Sequence, residues 1–186
     1  MHRTEARRYP VRVDPVTQLA VEARSGDARA IAAFVRATQQ DVWRLCSLVG
    51  RRGEADDLTQ ETYLRALQAL GQFRGDSPAK VWLAGIARRT CADDLRKSYR
   101  SRRLVDRLVA EHLAGEQPAD RTSSGVTALL DGLDHDRRTA FVMTQMLGLS
   151  YDEAAAACEV PIGTIRSRVA RARADLAEQV RRAEAL

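Results

Sequence analysis

Aromatic residues make up only 5% of the 186-residue chain, and there are just 11 glycines. Strands draw on aromatic and β-branched side chains and tight β-turns on glycine, so the shortage of both argues against a β-sandwich or barrel. Cysteine is scarcer still. Cys46, Cys91 and Cys158 lie far apart, with no CxxC pair and no histidine pair nearby, and read as small buried hydrophobes rather than metal ligands. His2, His112 and His135 each stand alone. No histidine-centred catalytic set, metal site, cofactor or enzymatic activity is therefore expected. No apolar run approaches the roughly 20 residues that a transmembrane helix needs. The charged stretch Met1–Asp14 lacks the apolar segment of a secretory signal. A soluble, cytoplasmic, mostly helical protein is expected, with room for one large or two small domains of roughly 100 residues each.

Lysine is nearly absent as well. Of the 30 basic residues only Lys80 and Lys97 are lysine, and against 25 acids the net charge is +5. The arginine fork suits phosphates and guanine edges, which adds weight to a nucleic-acid partner, although a GC-rich coding sequence gives the same bias.

Periodicity divides the chain into two helical halves. Residues 1–15 are basic, contain Pro10 and Pro15, and read as a frayed tail. A short helix over 16–24 stops at Ser25-Gly26, and Asp27 can cap the next. There Ile31, Phe34, Val35, Thr38, Val42, Leu45, Cys46 and Val49 form one buried stripe, ended by Gly50–Gly53. A third helix over 54–70 is expected to turn Leu58, Tyr63, Leu67 and Leu70 inward. After a loop at 72–78, with Ser77 as N-cap and Pro78 at N1, a fourth helix runs from about 79 to 99 with Val81, Trp82, Ile86 and Leu95. From Leu104 to Asp136 only Arg107 and Arg121 oppose seven acids. With Gly115, Pro118 and Ser123-Ser124-Gly125, residues 104–122 read as a flexible acidic tether between domains 16–103 and 123–186, and as the most protease-sensitive internal segment. In the second domain, short helices over 126–133 and 136–147 precede a capping box at Ser150–Glu153. The last helix carries the apolar seam Ile162, Ile165, Val169, Ala172, Leu176 and Val180.

Three constellations carry chemistry. In LSYDEAAAACEVPIGTIRSRVARARADL (149–176), a helix of small residues, a tight turn at Cys158–Pro161 and a second helix form a helix-turn-helix pattern. The outer face of that second helix offers Thr164, Arg166, Ser167, Arg168, Arg171 and Arg173 to base edges and phosphates, where the plainer alternative is a solvated arginine-rich face. Arg88–Arg103 holds seven basic residues against Asp93 and Asp94, next to Trp82 and the loop Phe73-Arg74-Gly75-Asp76-Ser77. A basic helix beside aromatics suits single-stranded DNA, although Trp82 could equally be core. Asp56, Asp57 and Glu61, with Glu54, form an acidic cluster that either favours the helix dipole or docks a basic protein surface.

These stretches resemble the extracytoplasmic-function (group IV) sigma factors of the sigma-70 family, the promoter-specificity subunits of bacterial RNA polymerase. The matching runs are ATQQDVWRL (37–45), ADDLTQETYLRAL (55–67), QFRGDSPAKVWLAGIARRTCADDLRK (72–97) and LGLSYDEAAAACEVPIGTIRSRVARARADL (147–176). GTIRSRVARAR also resembles the sigma-C-like branch. The family's aromatic-rich run in the fourth helix is here reduced to Trp82. The resemblance implies an all-α chain of two domains, region 2 and region 4. It implies core RNA polymerase as partner, through the β′ clamp helices and the β flap, together with promoter DNA and an anti-sigma factor. Asp56, Asp57, Gln60 and Glu61 would contact core enzyme. Phe73, Arg74, Asp76 and Ser77, with Lys80, Trp82, Arg88 and Arg89, would face the −10 strand, a flipped base included. Arg166, Ser167, Ala170 and Arg171 would face −35 bases, with Thr164, Arg168 and Arg173 beside them. The tether would thread through the polymerase in place of region 3. A regulator acting through its helix-turn-helix alone is the competing class; it leaves residues 54–103 without a role.

Overall fold

The computed structural model describes residues 14–110 and 125–184. Of the expected tail (1–15), residues 1–13 lie outside the described residues and Pro15 already opens a helix; of the expected tether (104–122), residues 111–122 lie outside them and 104–110 are helical. Among the described residues there are eight α-helices and no strand.

Four helices build the first domain. Asp14 caps α1 (Pro15–Ala23) by accepting from the backbone N–H groups of Val16 and Thr17, each at 3.0 Å. Asp27 does the same for α2 (Ala28–Val49), which buries Phe34, Thr38, Val42, Leu45, Cys46 and Val49 as its periodicity requires. The break after α2 is also a close approach, since a Cβ at Gly50 would sit 2.3 Å from Leu58 Cδ1. In α3 (Ala55–Leu70) the inward face differs from expectation. Leu58, Thr62, Ala66 and Leu70 are buried, Tyr63 is half-buried with its hydroxyl 2.7 Å from Thr38 Oγ1, and Leu67 is exposed. The buried face follows the four-residue spacing Leu58, Thr62, Ala66 and Leu70, which leaves Leu67 one step outside it.

The fourth helix begins where expected, at Ala79, and ends later. α4 spans Ala79–Ala110, and the Ala79 N–H donates to Thr17 Oγ1 at 2.8 Å. That bond ties α4 to α1 and satisfies a donor that no helical partner can reach. Between Gly85 and Gly115 the sequence holds neither glycine nor proline, so the change in charge at Leu104 does not stop the helix, and Arg103 falls inside it.

The second domain is α5 (Val126–Asp131), α6 (His135–Phe141), α7 (Tyr151–Cys158) and α8 (Ile162–Glu184). The expected continuous helix to Leu147 is interrupted, because Val142–Met146 widens into a π-turn closed by Leu147 N–H to Val142 O at 3.0 Å. Leu130, Leu133, Ala140, Val142, Met143, Ala154, Ile165, Val169 and Ala172 form the core. Burying each large side chain contributes about 1.5–3 kcal/mol. Val180, expected on the seam, is exposed.

The two domains are packed together. A Cβ at Gly85 of α4 would lie 3.3 Å from the Ala157 carbonyl oxygen of α7, so the missing side chain is what admits α7. Around it Arg88 Nε donates to Ala157 O at 3.2 Å, Arg89 pairs with Glu159, and Arg52 pairs with Asp131.

Candidate nucleic-acid and polymerase interfaces

The helix-turn-helix forms from local rules. Ser150 caps α7, accepting from Glu153 N at 3.2 Å, and Glu153 returns the contact to Ser150 N at 2.7 Å. Ala154, Ala155 and Ala157 are buried, which lets α7 approach α8 closely. Glu159 ends α7 in the left-handed region with φ +58, an uncommon conformation for a residue with a Cβ. α8 then buries Ile165, Val169 and Ala172 and turns Arg166, Ser167, Ala170, Arg171 and Arg173 to solvent, with Thr164 half-buried. Two arginines of this helix are engaged within the domain. Arg168 pairs with Asp136, and Arg173 donates to Gln145 Oε1 at 2.6 Å.

The basic segment of α4 is more basic than its composition indicates. Its two acids are consumed by arginines from other elements, Asp94 by Arg51 at 2.6 Å and Asp93 by Arg65 at 2.8 Å and by Arg96 of its own helix at 2.6 Å. The Arg65 and Arg96 guanidinium groups hold the Asp93 carboxyl below the usual carboxylate range. Arg74 and Asp76 are exposed and Ser77 is half-buried in the preceding loop. Phe73, expected on the strand-facing surface, is instead buried, its ring centroid 4.9 Å from that of half-buried Trp82. Hydrophobic packing beneath the loop accounts for the difference. Lys80 pairs with Asp41 at 2.9 Å. Arg88 and Arg89 face the second domain in the contacts described above.

The acidic cluster opens α3. Asp56, Asp57 and Gln60 are exposed, and Glu61 binds Arg65 at 2.7 Å. The sequence reading missed the apolar part of this surface. Trp43, 47% exposed, donates its indole N–H to Asp56 Oδ1 at 2.8 Å, while Leu64 and Leu67 are 58% and 38% exposed. The signal was present, since Trp43 lies next to Val42 of the buried stripe and a step of one residue turns a side chain out of it. Among the described residues no cluster of His, Cys, Asp and Glu could hold a metal ion, and no helix is long and apolar enough to cross a membrane.

A helix-turn-helix with an arginine-rich outer face, a basic helix beside an aromatic pair and an acidic–apolar face lie on one chain, the combination that the resemblance to a promoter-specificity subunit implies. The comparisons agree. A family model for Sigma-70 region 2 matches residues 34–113, and one for Sigma-70 region 4 matches residues 125–176. The chain is 47% identical over 166 residues to the ECF RNA polymerase sigma factor SigC of Mycobacterium tuberculosis, covering 86% of this chain and 88% of that one. It is 35% identical to the RNA polymerase sigma-H factor of Pseudomonas aeruginosa, over 84% of this chain and 89% of the relative. Among solved structures it resembles CnrH in complex with the cytosolic domain of CnrY, with TM-score 0.66, 29% identity and coverage of 88% and 95%. It also resembles the sigma factor RpoE in complex with the anti-sigma factor NepR from Bartonella quintana, with TM-score 0.62, 28% identity and coverage of 83% and 98%. The chain belongs to the extracytoplasmic-function sigma factors of the sigma-70 family. It is an RNA polymerase sigma factor, a specificity subunit and not a catalyst.

Proposed function

We propose that the three surfaces divide the work of initiation. Asp56, Asp57, Gln60 and Glu61, with Trp43, Leu64 and Leu67, dock on the clamp helices of core polymerase. Arg74, Asp76, Ser77, Lys80 and Trp82 face the −10 strand, with Phe73 supporting the loop from below, and Arg88 and Arg89 join them once the second domain moves off α4. Arg166, Ser167, Ala170 and Arg171 read −35 bases, and Thr164, Arg168 and Arg173 lie nearer phosphates. Residues 16–103 and 123–186 act as the two modules, and the acidic connection between them threads through the polymerase in the cytoplasm. An anti-sigma protein of the kind bound to the solved relatives is part of the same reading. The observation that carries it is the two-faced α8, with Ile165 and Val169 buried and Arg166 and Arg171 exposed on a helix-turn-helix. Reconstitution with core polymerase and genomic DNA, followed by mapping of transcript starts, tests it. Start sites sharing no −35 element at a fixed distance, or sequence-specific binding by the chain alone, would refute it.

A further inference from the structure

A cavity of about 400 Å³ lies where the domains meet, walled by both of them. From the first domain come Arg88, Ala92, Leu95, Arg96 and Tyr99, which follow one face of α4 on successive turns. From the second come His135, Asp136 and Thr139 of α6, Cys158 of α7 and Arg168 of α8. The volume falls in the range of small-molecule sites, about 300–1,000 Å³.

Its charge is strongly biased. Three guanidinium groups line it against the single carboxylate of Asp136, and Asp136 is already paired with Arg168. Arg96 shares Asp93 with Arg65 from outside the cavity. Arg88 spends its Nε on the Ala157 carbonyl and has no carboxylate partner among the described residues. Ala92, Leu95 and Cys158 supply an apolar wall, and Tyr99 stands at the rim, its ring 5.7 Å from the Arg103 guanidinium carbon. Guanidinium forks converge on phosphate oxygens, and an exposed tyrosine ring offers a stacking face for a base.

We propose that this interdomain cleft binds a nucleoside polyphosphate, its phosphates on Arg88, Arg96 and Arg168 and its base against Tyr99. Neither domain alone makes the site, so the ligand binds the packed arrangement in preference to the separated one and holds the domains together by that difference. Occupancy also engages Arg88. On the promoter-reading proposal above, which the binding itself does not require, the nucleotide would then compete with the −10 strand.

The test titrates the full-length chain with GTP, ATP, inorganic pyrophosphate and adenosine by isothermal calorimetry at physiological ionic strength. Stoichiometric binding of the triphosphates and pyrophosphate, and none of adenosine, is expected. Arg96→Gln and Arg168→Gln should each weaken GTP by about tenfold, as removal of a charge-assisted contact implies. Tyr99→Ala should weaken GTP and leave pyrophosphate unchanged. Arg181→Gln with Arg182→Gln, at the far end of α8, should leave all affinities as they were. A donor–acceptor dye pair spanning the domains should report a smaller separation when GTP is added. Absence of triphosphate binding overturns the proposal. So does a loss from the Arg181 and Arg182 changes equal to that from Arg96→Gln, which would mean diffuse attraction to a basic protein. These measurements contain no polymerase, so their failure leaves the promoter-reading proposal untouched.

Discussion

Gly85 separates the contribution of α4 itself from that of the contact between the domains. It lies in the interior of α4, where alanine is favoured over glycine by about 1 kcal/mol. Its missing Cβ would meet the Ala157 oxygen at 3.3 Å and Ala157 Cα at 3.7 Å, so alanine requires α7 to shift by a few tenths of an ångström. Gly85→Ala should therefore raise the stability of the first domain while slightly loosening the seam. Gly85→Leu should keep most of the helical gain and exclude α7 altogether. The contact then lost includes the Arg88–Ala157 hydrogen bond, with a charged donor, and the exposed Arg89–Glu159 pair. Such a hydrogen bond contributes about 1.5–3 kcal/mol and an exposed pair about 0–1 kcal/mol. A net loss near 2 kcal/mol shifts the packed-to-separated ratio about 30-fold. Dyes on cysteines introduced at exposed positions of α2 and α8 report the separation by energy transfer, the three native thiols being buried. Small-angle scattering checks the radius of gyration. If Gly85→Leu leaves both unchanged, α7 does not seat on Gly85, and the reasoning from its missing side chain fails.

Further outcomes follow from single residues. Asp57→Ala with Glu61→Ala should weaken binding to core polymerase while barely changing helicity, since exposed acids contribute about 0–1 kcal/mol to folding. Unaltered affinity for core would leave these acids with the helix dipole alone. Arg166→Ala should relax preference at one G of the −35 element, at about 1–3 kcal/mol for a bidentate contact, whereas Arg173→Ala should weaken all promoters alike and flatten the salt dependence. The reverse allocation, read from transcription with a randomised −35 element, would mean that α8 enters the groove rotated. Glu159→Gly should relieve a left-handed backbone costing about 1 kcal/mol and raise the urea midpoint, while loosening the contact between the domains only slightly by removing the exposed partner of Arg89. Glu159→Ala, which keeps the strain, should lower the midpoint; equal midpoints for the two would show that no strain is stored there. Burial holds the His135 pKa below its ordinary 6.5, with Arg138 and Arg88 adding to the effect and Asp136 and Asp134 opposing it. Unfolded chain then binds the proton first, so stability is full above pH 6.5, declines as pH falls toward the lower folded value, and levels off beneath it. Urea midpoints measured across that range should lose this slope in His135→Gln, and an unchanged slope would assign it to other groups.

Local chemistry is what the sequence by itself determined. The caps at Asp27 and Ser150, the stripe from Phe34 to Val49, the turn after Cys158 and the two faces of α8 each depend on residues within a few positions of one another. That is the range over which helix periodicity and capping act. The family resemblance rests on the same stretches. Tertiary structure decided whatever depends on a distant partner. Ala66 and not Leu67 faces inward because the way α3 sits against α2 and α4 selects the Leu58–Thr62–Ala66–Leu70 face, and Phe73 is buried because it packs against Trp82. The apolar surface of Trp43, Leu64 and Leu67 beside the acids emerges only when α2 and α3 are set side by side. Asp93 and Asp94 look like relief from the positive charge of α4 until Arg65 and Arg51 arrive from other elements to claim them. The seating of α7 on Gly85 joins residues 72 positions apart, given by 85 and 157, where no periodicity reaches. Its physical basis is close packing, in which one absent Cβ decides whether two helices can touch.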